Sequence, residues 1–412
     1  MVYGTWLVAA SKPTGGLRPI AVGSTLRRLT AKILLSRVRG GAAAYLRPRQ
    51  LGFATAGGAE IAVHSTRTYL AENGSAMALK IDFKNAFNSH RRDTMLRAVH
   101  QKFPEIYPMV SQAYRQPTPI SFGDTLIQSR TGIQQGDVFS SLIFSLVVHP
   151  TLESLRSEVV LGYLDDFTLL SKDPQVILED VQRIRDSYGS HGLDIQPTKC
   201  EVFVQGFPSE VTARMHSRVL ESLPGCRLIT EQSKLELLGA PVFVAGVPPA
   251  LQKKAEAYDL IFRRLAFVGS HVAAYILQRA AGVPRLNYLL RASPAFSVHE
   301  ELARIDDQFA AAFEAILKTS LTGDALTQLS LPTSTGGMGI PMPTAVATLA
   351  FAASCHAALP EVRDILGDAS KNIHLMDSAV EAFATRYGAA PPEEDRHRQS
   401  EWAGIANEHT LS

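Results

Sequence analysis

The stretch LGYLDDFTLLS, residues 161–171, limits how this chain can fold more than any other. Two adjacent aspartates, Asp165 and Asp166, interrupt what otherwise reads as strand. Val159, Val160, Leu161, Tyr163 and Leu164 lead in, and Phe167, Leu169 and Leu170 lead out. Carboxylates set between two apolar, β-prone runs predict a tight hairpin with both acids at its tip. Aspartate favours turns on its own account. A hairpin tip also holds carboxylates rigidly, and a divalent cation removes their repulsion. The pair alone leaves both explanations standing.

Charge is the next constraint. The net charge of +2 conceals an asymmetry along the 412 residues. Residues 1–59 carry nine bases (Lys12, Arg18, Arg27, Arg28, Lys32, Arg37, Arg39, Arg47, Arg49) and no acid before Glu60, leaving 32 bases against 39 acids in the remainder. A polyanion contact by the N-terminal part follows. The length allows two or three domains with cores of their own, and 46% hydrophobic with 19% charged residues is ordinary for a globular protein. Three cysteines (Cys200, Cys226, Cys355) are too few and too dispersed for a disulfide framework or a zinc knuckle. They point to a reducing, intracellular compartment, with nothing to choose between cytoplasm and nucleus. No apolar run is read as membrane-spanning, so no membrane partner is expected. The opening MVYGTWLVAAS lacks a basic n-region and reads as a buried strand, the edge of a larger domain, rather than as a signal peptide.

Along the chain, a turn at Pro13–Gly16 precedes the extended LRPIAVG. STLRRLTAKILLSRVRG then predicts a helix capped by Ser24 or Thr25. Leu26, Leu29, Ile33 and Leu34 form its apolar stripe, Arg27, Arg28, Lys32 and Arg39 its opposite face, and Gly40–Gly41 its end. A second helix, roughly 59–72, leads to the strand AMALKIDF, which ends in Asp82. A helix follows in NAFNSHRRDTMLRAVHQKF, and residues 119–130 read as a hairpin around Phe122–Asp124. TGIQQGDVFSSLIFSLVVHP is a glycine-bounded loop running into an apolar helix. Asp173–Pro174 starts a helix with Ile177, Val181, Ile184 and Tyr188 on one stripe, stopped by Gly189 and Gly192. KCEVFVQG and LELLGAPVF are short strands. Beyond Pro248–Pro249 the pattern is helical to about residue 318, then an Ala-rich helix and a polar, frayed tail.

Asp82 thus ends one strand, and Asp165 and Asp166 end another. Strand ends on one edge of an antiparallel sheet can bring such acids together although Asp82 and Asp165 are 83 positions apart. Clustered carboxylates suit two-metal phosphoryl chemistry, because hard divalent cations prefer oxygen ligands. No His/Cys cluster competes for that role.

At this point the chain resembles a reverse transcriptase, most similar to those of non-LTR retrotransposons. The resemblance runs through GGLRPIAVGSTLRRLTAKIL, IDFKNAFNS, GIQQGDVFSSLIF, YLDD, GLDIQPTKCEVF and LELLGAPV, in the family's order, over residues 15 to about 243. RASPAF and LPTSTGGMGI resemble the family's thumb and downstream region. YLDD alone is a weak signal; the ordered set is a strong one.

The resemblance implies an α+β right-hand polymerase: basic fingers (1–75), an antiparallel-sheet palm (76–245), a helical thumb (246–320) and a helical extension with a polar tail (321–412). It implies template-directed addition of deoxynucleoside triphosphates to a DNA primer on an RNA template. Two Mg²⁺ ions, or Mn²⁺ in their place, would be held by Asp82, Asp165, Asp166 and the carbonyl of Phe83. Phe87 occupies the steric-gate position, where a ring leaves no room for a 2′-hydroxyl; without the resemblance it reads as core. Gln135 and Gly136 would lie against the incoming nucleotide and the templating base. Lys199 would protonate the pyrophosphate leaving group, Arg18 would grip the triphosphate with its fixed donor fork, and Leu238 and Gly239 would hold the primer end through their backbone.

The chain also departs from the pattern. Ser141 stands where the family usually has proline, which weakens preorganisation of the helix start without removing a catalytic group. The start lies just before GGLRPIAVG, so upstream finger elements are expected to be missing and apolar surface near Trp6 and Leu7 uncovered, as in a fragment or a decayed copy. Two rival classes stay open: an RT-like RNA-binding protein without catalysis, and an RNA-dependent RNA polymerase.

Overall fold

The computed structural model describes residues 4–11 and 15–411; part of the turn expected at Pro13–Gly16, and Lys12, lie outside them. The chain divides into two compact units, one made of residues up to Gly58 with Asn73–Leu228, the other of Ala59–Glu72 with the residues from Ile229 onward. Mixed sheets and helices meet the α+β expectation.

In chain order the first unit contains β1 (Thr5–Ser11), β2 (Leu17–Gly23), α1 (Thr25–Leu46), β3 (Ala76–Ile81), β4 (Thr118–Phe122), β5 (Thr125–Ser129), β6 (Val159–Tyr163), β7 (Asp166–Ser171), β8 (Glu201–Gln205) and, at its boundary, β9 (Arg227–Ile229). One sheet runs β2-β1-β4-β5 and the other β6-β7-β3-β8-β9. In the second sheet β3 is central, antiparallel to both β7 and β8. All its residues but Lys80 are buried, which suits a strand covered on both faces. The helix Ser140–Ser154, the apolar continuation of the Gln135–Gly136 loop, is buried along most of its length. The helix Pro174–Gly189 buries Ile177, Val181, Ile184 and Tyr188, the stripe its period predicts, and Asp173 caps it by accepting from the Gln175 N–H at 2.9 Å.

Two N-terminal expectations are overturned. β1 forms, yet it is not buried: Trp6 is 60% exposed. On α1 most of the expected apolar stripe is turned outward, although Leu34 packs against the core. Leu26, Leu29 and Ile33 are 71%, 56% and 50% exposed, while Arg27, Ala31, Val38, Ala42 and Leu46 face inward. The reason is polar. Arg27 turns into the protein to pair with Asp137, and this fixes the helix's rotation against its own apolar stripe. Arg28, Lys32 and Arg39 remain exposed. Ser24 caps α1 as expected, accepting from the Arg27 N–H at 3.3 Å. Gly40–Gly41 do not end it. The three alanines that follow are strong helix formers, and packing outweighs the propensity cost of two glycines.

The second unit contains α2 (Gly58–Glu72, from Ala59 on), the short hairpin β10 (Glu236–Leu237) and β11 (Ala240–Pro241), and the helices Val247–Leu265, His299–Leu317, Pro343–Leu366, Met376–Tyr387 and Gln399–Leu411. Arg67 on α2 is fully buried. It donates to the carbonyls of Val242 (2.6 Å), Pro241 (3.2 Å) and Ala292 (2.6 Å), so its charge is satisfied by backbone dipoles. Glu60, one face along, pairs with Arg291 at 2.8 Å and accepts from the Ser354 hydroxyl at 2.7 Å. Pro343–Leu366 corrects the reading that no apolar run is long enough to cross a membrane. By length and composition it qualifies, but 67% of its apolar window is buried inside the protein, and it serves as a core helix. The tail is not frayed either. Trp402 of the last helix is fully buried against Phe383, its indole N–H donating to the Arg396 carbonyl at 2.8 Å.

Candidate active site

The site grows from the register of the second sheet. Ile81 on β3 stands opposite Phe167 on β7. One step further along both strands sets Asp82 across from Asp166, and the β6–β7 hairpin closes by pairing Tyr163 with Asp166. Asp165 lies in the turn between them. The three acids expected from the sequence therefore meet at one sheet edge.

Their electrostatics register this closeness. Desolvation raises the Asp165 pKa above the usual carboxylate range, and the neighbouring Asp82 raises it further; Arg18 and Lys199 pull it back. Asp166 is pushed to about 6, by desolvation first and then by Asp165 and Asp82, with Lys80 and Lys199 opposing. The residue is nevertheless exposed in part, so crowding by protein rather than full enclosure is the physical cause. Among the described residues no three His, Cys, Asp or Glu side chains stand close enough to make a ready ligand cluster. The donor chemistry nevertheless fits a divalent cation: carboxylate oxygens, of which those of Asp165 and Asp166 are made costlier to ionise by burial and by neighbouring acids, a cost that a bound cation relieves.

Lys199 sits on the 3₁₀ turn Pro197–Lys199, with its Nζ 3.7 Å from an Asp82 carboxylate oxygen. A strap holds this turn in place. Gln196 N donates to the Asp82 carbonyl at 2.8 Å, Lys84 N donates to the Asp194 carbonyl at 2.9 Å, and Phe83 bridges Ile195. The Phe83 ring itself points into the core against Phe167 and Tyr188, at 5.0 and 5.7 Å between centroids. Arg18 lies exposed on β2, close enough to act on Asp165.

Phe87 follows Asn85, which takes a positive φ, and its ring stacks on Phe144 at 4.7 Å and 25°. The ring is at the margin of the core, almost fully buried. Its carbonyl accepts from the Ile133 N–H at 2.7 Å, tying it to the loop of Gln135 and Gly136. That loop is anchored to β2 by Ala21 N donating to the Gln135 carbonyl at 2.6 Å. Gly136 has φ +103°, and a Cβ there would meet the Ala21 carbonyl at 2.7 Å, so only glycine fits. Leu238 and Gly239 belong to the second unit. They form the β10–β11 turn with φ of +50° and +80°, and the Tyr288 hydroxyl donates to the Leu238 carbonyl at 3.0 Å.

Two supporting groups escape sequence reasoning. Arg27 and Asp137 form a buried ion pair beside the Gln135–Gly136 loop; Arg27 also reaches the Gln134 amide oxygen at 3.4 Å, and Asp137 accepts from the Phe139 N–H at 2.8 Å. Gln50 contacts the aspartate hairpin from a segment with no motif of its own. Neither carries a periodic or spacing signal, since each becomes meaningful only through a partner over a hundred residues away.

In comparison with known proteins, residues 10–242, more than half of the chain, match the family described as reverse transcriptase (RNA-dependent DNA polymerase). No curated protein matches. Among solved structures, telomerase from Candida albicans in complex with a TWJ fragment of telomeric RNA is 11% identical over 94% of this chain and 62% of that one, with a TM-score of 0.45. Apo telomerase from Candida tropicalis is 11% identical over 94% and 65%, TM-score 0.41. Its form truncated from the C-terminal domain is 11% identical over 50% and 51%, TM-score 0.38. The chain thus spans between 51% and 65% of the length of these structures.

Proposed function

From a chain that belongs to the reverse transcriptase family and has its α+β right-hand polymerase fold, we propose a template-directed DNA polymerase of non-LTR retrotransposon type. It extends a DNA primer on an RNA template with deoxynucleoside triphosphates. The observation that carries this reading is the meeting of Asp82, Asp165 and Asp166 at one sheet edge, where Arg18 and Lys199 act on their charge.

Asp82, Asp165 and Asp166, with the Phe83 carbonyl, would hold two Mg²⁺ ions or Mn²⁺ in their place. Bound there, such ions supply activation of the primer 3′-hydroxyl and charge neutralisation at the phosphates. The remaining work falls to the chain. Arg18 offers a planar donor fork to the triphosphate. Lys199, beside Asp82, carries the proton for the departing pyrophosphate. Phe87, braced by Phe144, excludes a ribose 2′-hydroxyl. Gln135 and Gly136 line the nucleotide and the templating base, and the Leu238–Gly239 turn holds the primer end by its backbone. In this reading residues 1–75 are fingers, 76–245 palm, 246–320 thumb and 321–412 a helical extension.

Primer extension on an RNA template, with deoxy- or ribonucleotides and with or without EDTA, tests it. Extension with deoxynucleotides that EDTA and Asp165→Asn abolish, while duplex binding persists, is the expected result. Ribonucleotide extension of equal efficiency would favour an RNA polymerase. Binding with no extension under any divalent ion would favour an RNA-binding scaffold.

A further inference from the structure

We infer that Gln50 is a positioning residue that holds the turn of the Asp165–Asp166 hairpin in its strained conformation, an inference that rests on the polymerase reading above. Leu164, immediately before Asp165, has φ +55°. A branched L-residue avoids that region, because its Cβ crowds the backbone carbonyl. Such a conformation persists only where the surroundings over-determine it, and here a two-residue hairpin turn, closed by Tyr163 and Asp166 and calling for positive φ at its first position, is backed by one buried side chain. The Gln50 amide is fully buried. Its Oε1 accepts from the Leu164 N–H at 2.8 Å and from the Gly52 N–H at 3.0 Å, and its Nε2 donates to the Leu164 carbonyl at 3.3 Å. Both polar groups of the strained residue are thereby taken up by one planar amide.

The backbone around Gln50 reinforces this grip. Leu51 N donates to the Gly162 carbonyl and Gly162 N to the Arg49 carbonyl, each at 2.7 Å, which pairs Gln50 with Gly162 as a parallel bridge. The approach is close enough that a Cβ on Gly52 would fall 2.4 Å from Leu164 N. Asp166 has a separate anchor, since β7 is zipped to β3 up to Phe167. Asp165 has only the turn, so the clamp governs chiefly where that carboxylate points. Glutamine is the side chain this requires. It is long enough to reach across, and it both accepts and donates; glutamate cannot donate when ionised and would add a charge next to two aspartates.

The test compares wild type, Gln50→Leu, Leu164→Gly and the double variant in the full chain. It reads primer-extension kcat and nucleotide KM, duplex affinity by fluorescence anisotropy, and hydrogen exchange at the Leu164 amide. Gln50→Leu should lower kcat about a hundredfold, the scale on which a misplacement of about 1 Å acts, with KM and duplex affinity unchanged. The Leu164 amide should exchange faster while β3 amides keep their protection. Adding Leu164→Gly should restore most of kcat, because glycine takes positive φ without steric cost and the turn no longer needs the clamp. A kcat loss that Leu164→Gly does not rescue would overturn the inference. So would parallel loss of β3 protection and duplex affinity, which would make Gln50 a general support of the fold. If Gln50→Leu alone does not fold, the double variant measured against Leu164→Gly decides, and its failure to fold also overturns the inference. Should wild type show no extension, the polymerase reading fails, and Leu164 exchange in Gln50→Leu judges the clamp by itself: unchanged exchange refutes it.

Discussion

Arg27→Met would strand the Asp137 carboxylate where water barely reaches it, since both side chains of this pair are only 5% exposed. Removing one partner of a buried pair leaves an uncompensated charge and costs about 3–5 kcal/mol, far above the range of about 0–1 kcal/mol for a surface pair. Asp137→Asn should also be costly, since Arg27 loses its anionic partner while keeping the Gln134 amide oxygen, although the new amide oxygen can still accept from the Phe139 N–H that the carboxylate binds at 2.8 Å. Arg27→Met with Asp137→Asn removes both charges together, so its cost should fall short of the sum of the singles by up to about 3 kcal/mol. Because the chain has two compact units, one global unfolding free energy is poorly defined. Native-state hydrogen exchange on amides of α1 and the helix Ser140–Ser154 reads the relevant opening directly. The same variants should raise nucleotide KM more than they lower duplex affinity, because the pair braces the Gln135–Gly136 loop. Single-variant losses below about 1 kcal/mol, additive in the double and erased by salt, would show that the pair is solvated and that the loop has another support.

Asp166→Asn should stabilise the ligand-free first unit at neutral pH. The folded-state pKa of about 6 lies above the usual 3.8, so the protonated carboxyl favours the fold below about 3.8, and that advantage is lost as pH rises through about 6. Thermal melts of wild type and variant should therefore diverge above pH 6 and converge near pH 4; parallel curves would refute the raised pKa that burial and the neighbouring acids impose on Asp166. Phe87→Val should admit ribonucleotides in a primer-extension assay, and unchanged selectivity would sink the gate assignment. Arg28→Ala and Lys32→Ala, on the exposed face of α1, should each flatten the salt dependence of duplex binding by about one unit of slope; unaltered slopes would exclude α1 from the nucleic-acid path.

What the sequence discloses about this fold is what repeats locally. The hairpin at Asp165–Asp166, the strand ending in Asp82 and the Ile177–Tyr188 stripe are legible because apolar period, turn residues and caps are all near neighbours in the chain. The rotation of α1 is not legible. Leu26, Leu29 and Ile33 form a good stripe, and the protein exposes them because Arg27 must reach Asp137, 110 positions away. The allegiance of α2 is hidden in the same way, being settled by Arg67 donating to carbonyls at positions 241, 242 and 292. A buried charge or amide has no periodicity, so its location stays unmarked until its partner is known. The candidate site shows the same division. Every acid in it can be read from the sequence, whereas Gln50, which takes both polar groups of the residue before Asp165, cannot. The chemistry-bearing residues are conspicuous because charge at a strand end is costly and so demands a reason. Their supports are inconspicuous because a satisfied polar group, once paired, costs the fold little.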